Sequence, residues 1–398
     1  MSTTLRHPRL ALRPGAHRRL KSGHPWIYSN EVALDAAAKS LAPGSVVTIT
    51  DAGGSLLATA HFNAHTLIAA RVLAGAGDVA VTVQFYADRI DRALSLRRRL
   101  FARPFYRLVH AEADGLPGLV IDRFDDVCVV QPNTAGMQAA LSEITEALIK
   151  VLNPRAIVMR GDSAARGLEG LDEDVRLIAG TLTGPVAVEE NGAVFRADVL
   201  SGQKTGWFFD QRDNRAFMAG LSKDATVLDL YTHTGGFAIA AARAGATTVT
   251  AVDRSQSALD LAAQAAPLNN VADRVAFERS DVFGFLEAAT TRGQTWQMVI
   301  ADPPPFVKSR KDLKAGLQGY RKLARLCGQV AAPGGLLLVA SCSHNAPVDE
   351  FTAAVVRGLG DAGRSGPIIR TAGAGPDHPI HPLLPESAYL KAVVLALD

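Results

Sequence analysis

Four aspartates, Asp229, Asp253, Asp281 and Asp302, lie at or near the ends of short β-like runs: Val227-Leu-Asp229-Leu, Thr248-Val-Thr-Ala-Val-Asp253, Arg274 to Asp281, and Gln297-Met-Val-Ile-Ala-Asp302. Runs of this kind, separated by helix-like segments, predict the strands of an open parallel sheet, whose C-terminal ends share one edge. The four carboxylates then meet at one crevice, where no structural role calls for four acids. The first run passes through Gly235-Gly236 directly into an Ala-rich stretch ending at Ala242. Two residues without a Cβ let a ligand approach the backbone, and the helix start behind them offers free N–H groups. Asp253 stands 17 positions beyond Gly236, where doubly wound folds grip ribose hydroxyls, and an acid there favours a diol over a phosphate. A strand followed by Gly-Gly is common; three further strand-end acids turn it into a nucleotide-type site.

At these residues the sequence resembles the class I S-adenosylmethionine-dependent methyltransferases. Ser201-Gly-Gln-Lys-Thr-Gly-Trp-Phe-Phe-Asp-Gln-Arg-Asp-Asn-Arg215, Asp302-Pro-Pro-Pro-Phe306, Gly319-Tyr320 and Ser341-Cys-Ser-His344 resemble, in that order, the bacterial RlmI-type 23S rRNA cytosine-5 methyltransferases. The likeness runs over nearly the whole chain. It implies an α/β protein with a doubly wound, Rossmann-like class I methyltransferase domain, an N-terminal PUA-like β-barrel that binds RNA and a small central α+β domain. The expected boundaries are 1–75, 76–200 and 201–398. S-adenosylmethionine is then expected against Asp229, Tyr231, Thr232, Gly235, Gly236, Asp253, Arg254, Asp281 and Asp302, with Asp210 and Arg212 from the Ser201 to Arg215 stretch. The adenine amino group falls to Asp281.

Cytosine C5 is too weak a nucleophile to attack a sulfonium methyl group. Enzymes therefore first add a thiolate to C6, which makes C5 enamine-like. Cys342 ends the buried run Leu336-Leu-Leu-Val-Ala-Ser-Cys342 on the edge where the acids converge. A cysteine in a buried strand is usually inert packing; this address and the Ser-Cys-Ser-His match favour catalysis. Asp302, stiffened by the prolines that follow, can accept from the cytosine amino group or protonated N3. Phe306 offers a stacking face to a base drawn from its stack, against a competing role in core filling. Lys308 and Tyr320, with His233 as a further neighbour, are expected at the RNA. Related enzymes carry a second cysteine in the Asp-Pro-Pro region, where this chain has Pro304 and Pro305, so the base that removes the C5 proton is unassigned. The runner-up is an RNA guanine or adenine N-methyltransferase with Cys342 a bystander. The other alternative, an RNA-binding protein with a degenerate methyltransferase fold, conflicts with the intact acids.

The elements that position these groups need most of the 398 residues, a length that suggests two or three domains. A chain 48% hydrophobic and 20% charged is globular. It has no membrane-spanning run, and its first residues lack the apolar core of a signal peptide, so a cytoplasmic protein is expected. Three cysteines, Cys128, Cys327 and Cys342, give no pairing framework and no metal spacing, and all are read as reduced thiols with no metal bound. Ribosomal RNA is the expected partner, and the protein a monomer or homodimer.

The net charge of +3 is modest, but its distribution is not. Arg6, Arg9, Arg13, Arg18, Arg19 and Lys21 precede the first acid, Glu31, and read as phosphate contacts, with Arg13, Arg18 and Arg19 the chosen RNA ligands. A second cluster, Arg89, Arg92, Arg97, Arg98, Arg99, Arg103 and Arg107, fits a solvated face equally well. Residues 7–74 alternate short β-like runs with Gly and Asp turns, as in a small barrel. Helices are expected at 83–101 and 137–152, hairpins turning at Asp125-Asp126 and Asn191-Gly192, an active-site loop at 308–314, a helix at 317–331 and a last strand at 388–397, antiparallel to its neighbours by the resemblance.

Overall fold

The computed structural model describes residues 7–75, 77–203 and 205–398; Arg6 and Lys204 lie outside them. The chain forms two compact units. The first comprises 1–186, 198–206 and 376–387, and the second 187–197, 207–375 and 388–398.

The first unit opens with a five-stranded sheet of Arg9–Ala11, Trp26–Ile27, Ser45–Thr50, Leu56–Phe62 and Ala70–Ala74. Val47, Ile49, Ala60 and Phe62 are buried in its core with Leu10, Leu12 and Ile27. The chain then enters the helix Val83–Leu100, within one residue of expectation. A second five-stranded sheet follows, of Phe105–His110, Leu119–Phe124, Val127–Pro132, Ala156–Arg160 and Val175–Gly180, neighbours in space as in sequence. The turn at Asp125-Asp126 is present, with Asp125 at φ 56°. Helix Leu141–Leu152 and the long helix cover one face.

Sequence reading missed the two outer strands of this sheet, and for the first the reason is electrostatic. Arg107 interrupts the apolar pattern of that strand, yet Asp122 on the adjacent strand takes its guanidinium at 2.8 and 2.9 Å. The polarity that hides the strand is cancelled inside the sheet. The Asn191-Gly192 hairpin, Val186–Glu190 with Ala193–Ala197, is a separate two-stranded sheet. Residues 187–197 of that hairpin belong to the second unit. There Asn269 completes its edge, accepting from Val194 N at 2.9 Å and donating to Val194 O at 2.6 Å.

The second unit is a seven-stranded sheet: β1 Thr226–Leu230, β2 Thr248–Asp253, β3 Val275–Arg279, β4 Trp296–Ala301, β5 Ala331–Ser341, β6 Ile368–Ala372 and β7 Lys391–Ala396. Their spatial order is β3-β2-β1-β4-β5-β7-β6. The first five are parallel, and β7 runs antiparallel to both β5 and β6. Central parallel strands are covered on both faces, so they carry largely apolar stretches such as Met298-Val-Ile-Ala301 and Leu336-Leu-Leu-Val-Ala340. Helices α1 Gly236–Arg243, α2 Gln256–Leu268, α3 Val282–Thr291, α4 Leu313–Val330 and α5 Val348–Asp361 alternate with these strands. The polar stretch from Lys308 is shorter as a loop than expected. Ser309 and Asp312 form a reciprocal cap, and α4 starts at Leu313.

Candidate functional site

Switching from β1 to β4 at the middle of the sheet leaves a crevice at the strand ends, and the chain crosses it as Tyr231 to Gly235. Three residues here hold left-handed backbone: Tyr231 at φ 61°, His233 at φ 51° and Gly235 at φ 80°. For the two side-chain-bearing residues this is strained, and the loop is held from outside. His233 N donates to Asp253 Oδ2 at 2.9 Å, and Thr232 Oγ1 to Asp229 Oδ2 at 2.5 Å. Gly236 opens α1 where a Cβ would lie 3.0 Å from Arg215 Cδ and 3.3 Å from the Trp207 ring.

Asp229 is fully buried. Its Oδ2 also accepts from Ala238 N at 2.9 Å, while Oδ1 is buried with no hydrogen-bond partner. Burial lifts its pKa to about 7, and the nearby charges of Asp302 and Asp253 add to the rise. An orphaned carboxylate oxygen of this kind calls for a cationic or donor partner. Asp253 closes β2, half-buried, and also accepts from Ser255 N at 2.8 Å. Asp281 is exposed and caps α3, its Oδ2 accepting from Gly284 N at 2.9 Å. Burial raises the Tyr231 hydroxyl, and the charges of Cys327, Asp281 and Asp253 add to the rise. Arg254 is exposed beside them.

Asp210, in the short turn Phe209–Gln211, and Arg212, which opens the helix Arg212–Gly220, are both buried. Tyr389 donates to Asp210 Oδ2 at 2.6 Å, and the Arg212 guanidinium lies 5.5 Å from the Phe209 ring centroid.

Ala301 pairs with Val339, so Asp302 and Cys342 leave adjacent strands on the same edge. Cys342 is half-buried, whereas Cys128 and Cys327 are fully buried, with thiols pushed up by burial. Two loops meet around it. Ser343 Oγ accepts from Val307 N at 3.2 Å, and Asn345 Nδ2 donates to the Lys308 carbonyl at 3.1 Å. Phe306 is half-buried, its ring 4.8 Å from Tyr320 and 6.3 Å from Phe283. Lys308 is exposed.

Tyr320 differs from expectation. It has no exposed surface, and its hydroxyl sits 2.7 Å from Ser341 Oγ and 2.9 Å from Ser343 Oγ. It braces the residues on either side of Cys342 and cannot reach an RNA base. Sequence reading also missed Lys391, whose Nζ donates to Ser343 O at 2.5 Å, and the stacking of His344 on Tyr389 at 5.0 Å. A lysine opening an otherwise apolar strand was the one signal for the first.

In the first unit Arg13 donates to Val32 O at 3.2 Å and lines, with Arg9, Asp35 and Thr50, a cavity of ≈ 560 Å³. Arg18 is exposed on the helix His17–Lys21. Arg19 is tied down by Glu31 Oε2 at 2.5 Å and stacks on Tyr28. The second basic cluster divides. Arg97 is buried on Asp114, and Arg89 caps Leu73 O at 2.6 Å, while Arg92, Arg98 and Arg99 are exposed. Among the described residues no helix is long and apolar enough to cross a membrane.

Comparison with known proteins agrees with this geometry. Residues 10–74 match the model of a PUA-like domain, and residues 169–393 that of an S-adenosylmethionine-dependent methyltransferase. Ribosomal RNA large subunit methyltransferase I of Pseudoalteromonas translucida is 36% identical over 96% of this chain and 98% of its own. The protein of the same name from Aeromonas hydrophila is 37% identical over 96% and 97%. Among solved structures, a protein of Streptococcus mutans assigned as a SAM-dependent methyltransferase superposes with a TM-score of 0.81 at 21% identity, covering 98% of this chain and 99% of its own. Another methyltransferase structure, complexed with SAH, gives 0.82 at 20% identity, with the same coverage. The chain belongs to the S-adenosylmethionine-dependent methyltransferase family, on the ribosomal RNA large subunit methyltransferase I branch.

Proposed function

We propose that this chain is an S-adenosylmethionine-dependent methyltransferase that forms 5-methylcytosine in large-subunit (23S) ribosomal RNA, with Cys342 as its nucleophile. The observation that carries the reading is the address of Cys342. Of the three thiols it is the one with solvent access, and it leaves the sheet beside Asp302 on the acid-lined edge.

When bound, S-adenosylmethionine supplies an electrophilic methyl group on a sulfonium. The residues present fit it. Asp229, with its orphaned Oδ1, suits the cofactor's positive charge, and Asp253 suits the ribose diol. Tyr231, Thr232, Gly235 and Gly236 line the path between them, with Arg254 and Asp281 toward the adenine and Asp210 and Arg212 flanking. In the reaction the Cys342 thiolate adds to cytosine C6, and the electrons of the C5–C6 double bond shift toward C5 and the ring. Asp302 steadies the amino group or protonated N3 as this charge develops. Loss of the C5 proton after methylation restores the double bond and expels the thiolate. Phe306 and Lys308 border the base and its phosphate.

RNA is held in part by the PUA-like region, through Arg13, Arg18 and Arg19. The proposed domains are 1–75, 76–200 and 201–398 along the sequence, with residues 187–197 packing with the third and 201–206 and 376–387 with the first two, and the protein works in the cytoplasm as a monomer or homodimer. Cys342→Ala should keep cofactor and RNA binding and lose essentially all methyl transfer. RNA with 5-fluorocytosine at the target should trap the wild-type protein covalently, since fluorine cannot leave as the proton does. Retained activity in the alanine variant, or methyl groups on a nitrogen in nucleoside mass spectrometry, would promote the N-methyltransferase reading.

A further inference from the structure

Lys391 opens β7 directly opposite Ser341, the residue before Cys342. It is only 8% exposed, and its Nζ donates to the carbonyl of Ser343, the residue after Cys342, at 2.5 Å. A buried ammonium is costly unless something offsets its desolvation, and one carbonyl satisfies one of its three hydrogens. Methionine would fill the same volume without that cost. Burial lowers the Lys391 pKa, and the charge opposing that fall is the Cys342 sulfur. Interaction between two sites is mutual, so whatever a thiolate does for the ammonium, the ammonium does for the thiolate.

Other titratable groups lie on the elements around this spot. Asp302 ends the neighbouring strand β4, and a carboxylate nearby disfavours a thiolate. Tyr320 on α4 feels the Cys342 charge and has its hydroxyl on Ser341 and Ser343. His344 is turned onto Tyr389, and Lys308 lies on the facing loop, exposed. Lys391 is the buried cation on the strand paired with that of Cys342.

We propose that Lys391 is a positioning residue whose ammonium is the counter-ion of the Cys342 thiolate, and that its grip on the Ser343 carbonyl fixes the sulfur at the crevice edge. The thiol proton leaves to solvent. The proposal rests on Cys342 being the nucleophile, and its test is independent of methyl transfer.

The full-length protein and its Lys391→Met and Lys391→Arg variants would be alkylated with iodoacetamide across a pH series, the Cys342 adduct being followed by peptide mass spectrometry. Cys128 and Cys327 are fully buried and serve as internal controls. The methionine variant should move the pH midpoint of Cys342 alkylation up by about one unit and slow the reaction roughly tenfold near neutral pH, while arginine keeps it close to wild type. An unchanged midpoint in Lys391→Met, or an equal shift in both variants, would overturn the proposal. If Lys391→Met melts early, Lys391→Gln carries the same titration. Methyl transfer surviving in Cys342→Ala would sink the nucleophile reading while leaving the alkylation profiles as measured, so the two failures are distinguishable.

Discussion

Arg215 and Glu190 form a buried bidentate pair, Nε to Oε1 at 2.6 Å and Nη2 to Oε2 at 3.0 Å, and the arginine side chain lies immediately under Gly236. Glu190 also accepts from Trp207 Nε1 at 3.2 Å, so one carboxylate ties the Asn191-Gly192 hairpin to the helix that supports the crevice floor. Removing one partner strands the other charge inside. Glu190→Ala should cost about 3–5 kcal/mol in urea unfolding and weaken cofactor binding as the floor loosens. A loss below about 1 kcal/mol would mean that water replaces the carboxylate.

Asp229 makes the empty protein sensitive to pH. Its folded pKa, about 7, stands above the ordinary 3.8. Between those values the folded state holds more protons than the unfolded one, so stability falls as pH rises through this window. The contribution reaches ~1.4 kcal/mol per pH unit at its steepest and levels off above the folded pKa. Asp229→Asn should therefore be less sensitive than wild type in urea melts between about pH 5 and about pH 8, while binding S-adenosylmethionine more weakly. Parallel pH curves for the two proteins would take this carboxylate out of the account.

Tyr320→Phe removes the hydroxyl that bridges Ser341 and Ser343. The expected loss is about 1–3 kcal/mol of stability, with kcat falling more than cofactor affinity, because Cys342 loses the brace on both sides. Thermal melts and calorimetry would separate the two effects. Equal losses in kcat and affinity would point to general loosening instead.

Asp253→Ala should weaken S-adenosylmethionine binding roughly tenfold or more, the loss of a charge-assisted hydrogen bond. Two backbone amides, from His233 and Ser255, would lose their acceptor as well. Titration calorimetry that returns an unchanged Kd would remove Asp253 from the site.

Arg13 and Arg18 supply a separate test in the PUA-like region. Changing both to glutamine should weaken RNA binding with little effect on cofactor binding. It should also reduce the steepness of log Kd against log salt by about one for each phosphate that is no longer neutralised. Identical slopes would make the cluster a structural one.

The crevice was legible in the sequence because its parts are local. Strand, turn, glycines and the next strand-end acid fall within one β-α-β stretch, and periodicity carries that information. The supports were not legible, because each depends on a distant partner. Glu190 meets Arg215 across 25 positions, and Lys391 meets Ser343 across 48. Tyr320 is different. With Leu323, Ala324 and Cys327 it recurs at helical spacing, and all four are buried, so the apolar stripe of α4 already argued for a core position over an RNA contact. Arg97 and Arg107 show the converse, where a run of like charge hid a buried and a half-buried arginine, each bound to a carboxylate.

The chain passes between the two compact units five times, at 186/187, 197/198, 206/207, 375/376 and 387/388. No single cut therefore yields either unit whole. A fragment starting at Trp207 would lack the hairpin that carries Glu190, and one ending before it would lack residues 376–387, including the Asp377 whose carboxylate accepts from Arg107 N at 3.0 Å. Insertions, tags within the chain and circular permutation are best tolerated where the chain does not cross. Unfolding of one unit is bound to pull on the ends of elements in the other, which joins the fates of the two in a way that a serial arrangement of domains would not.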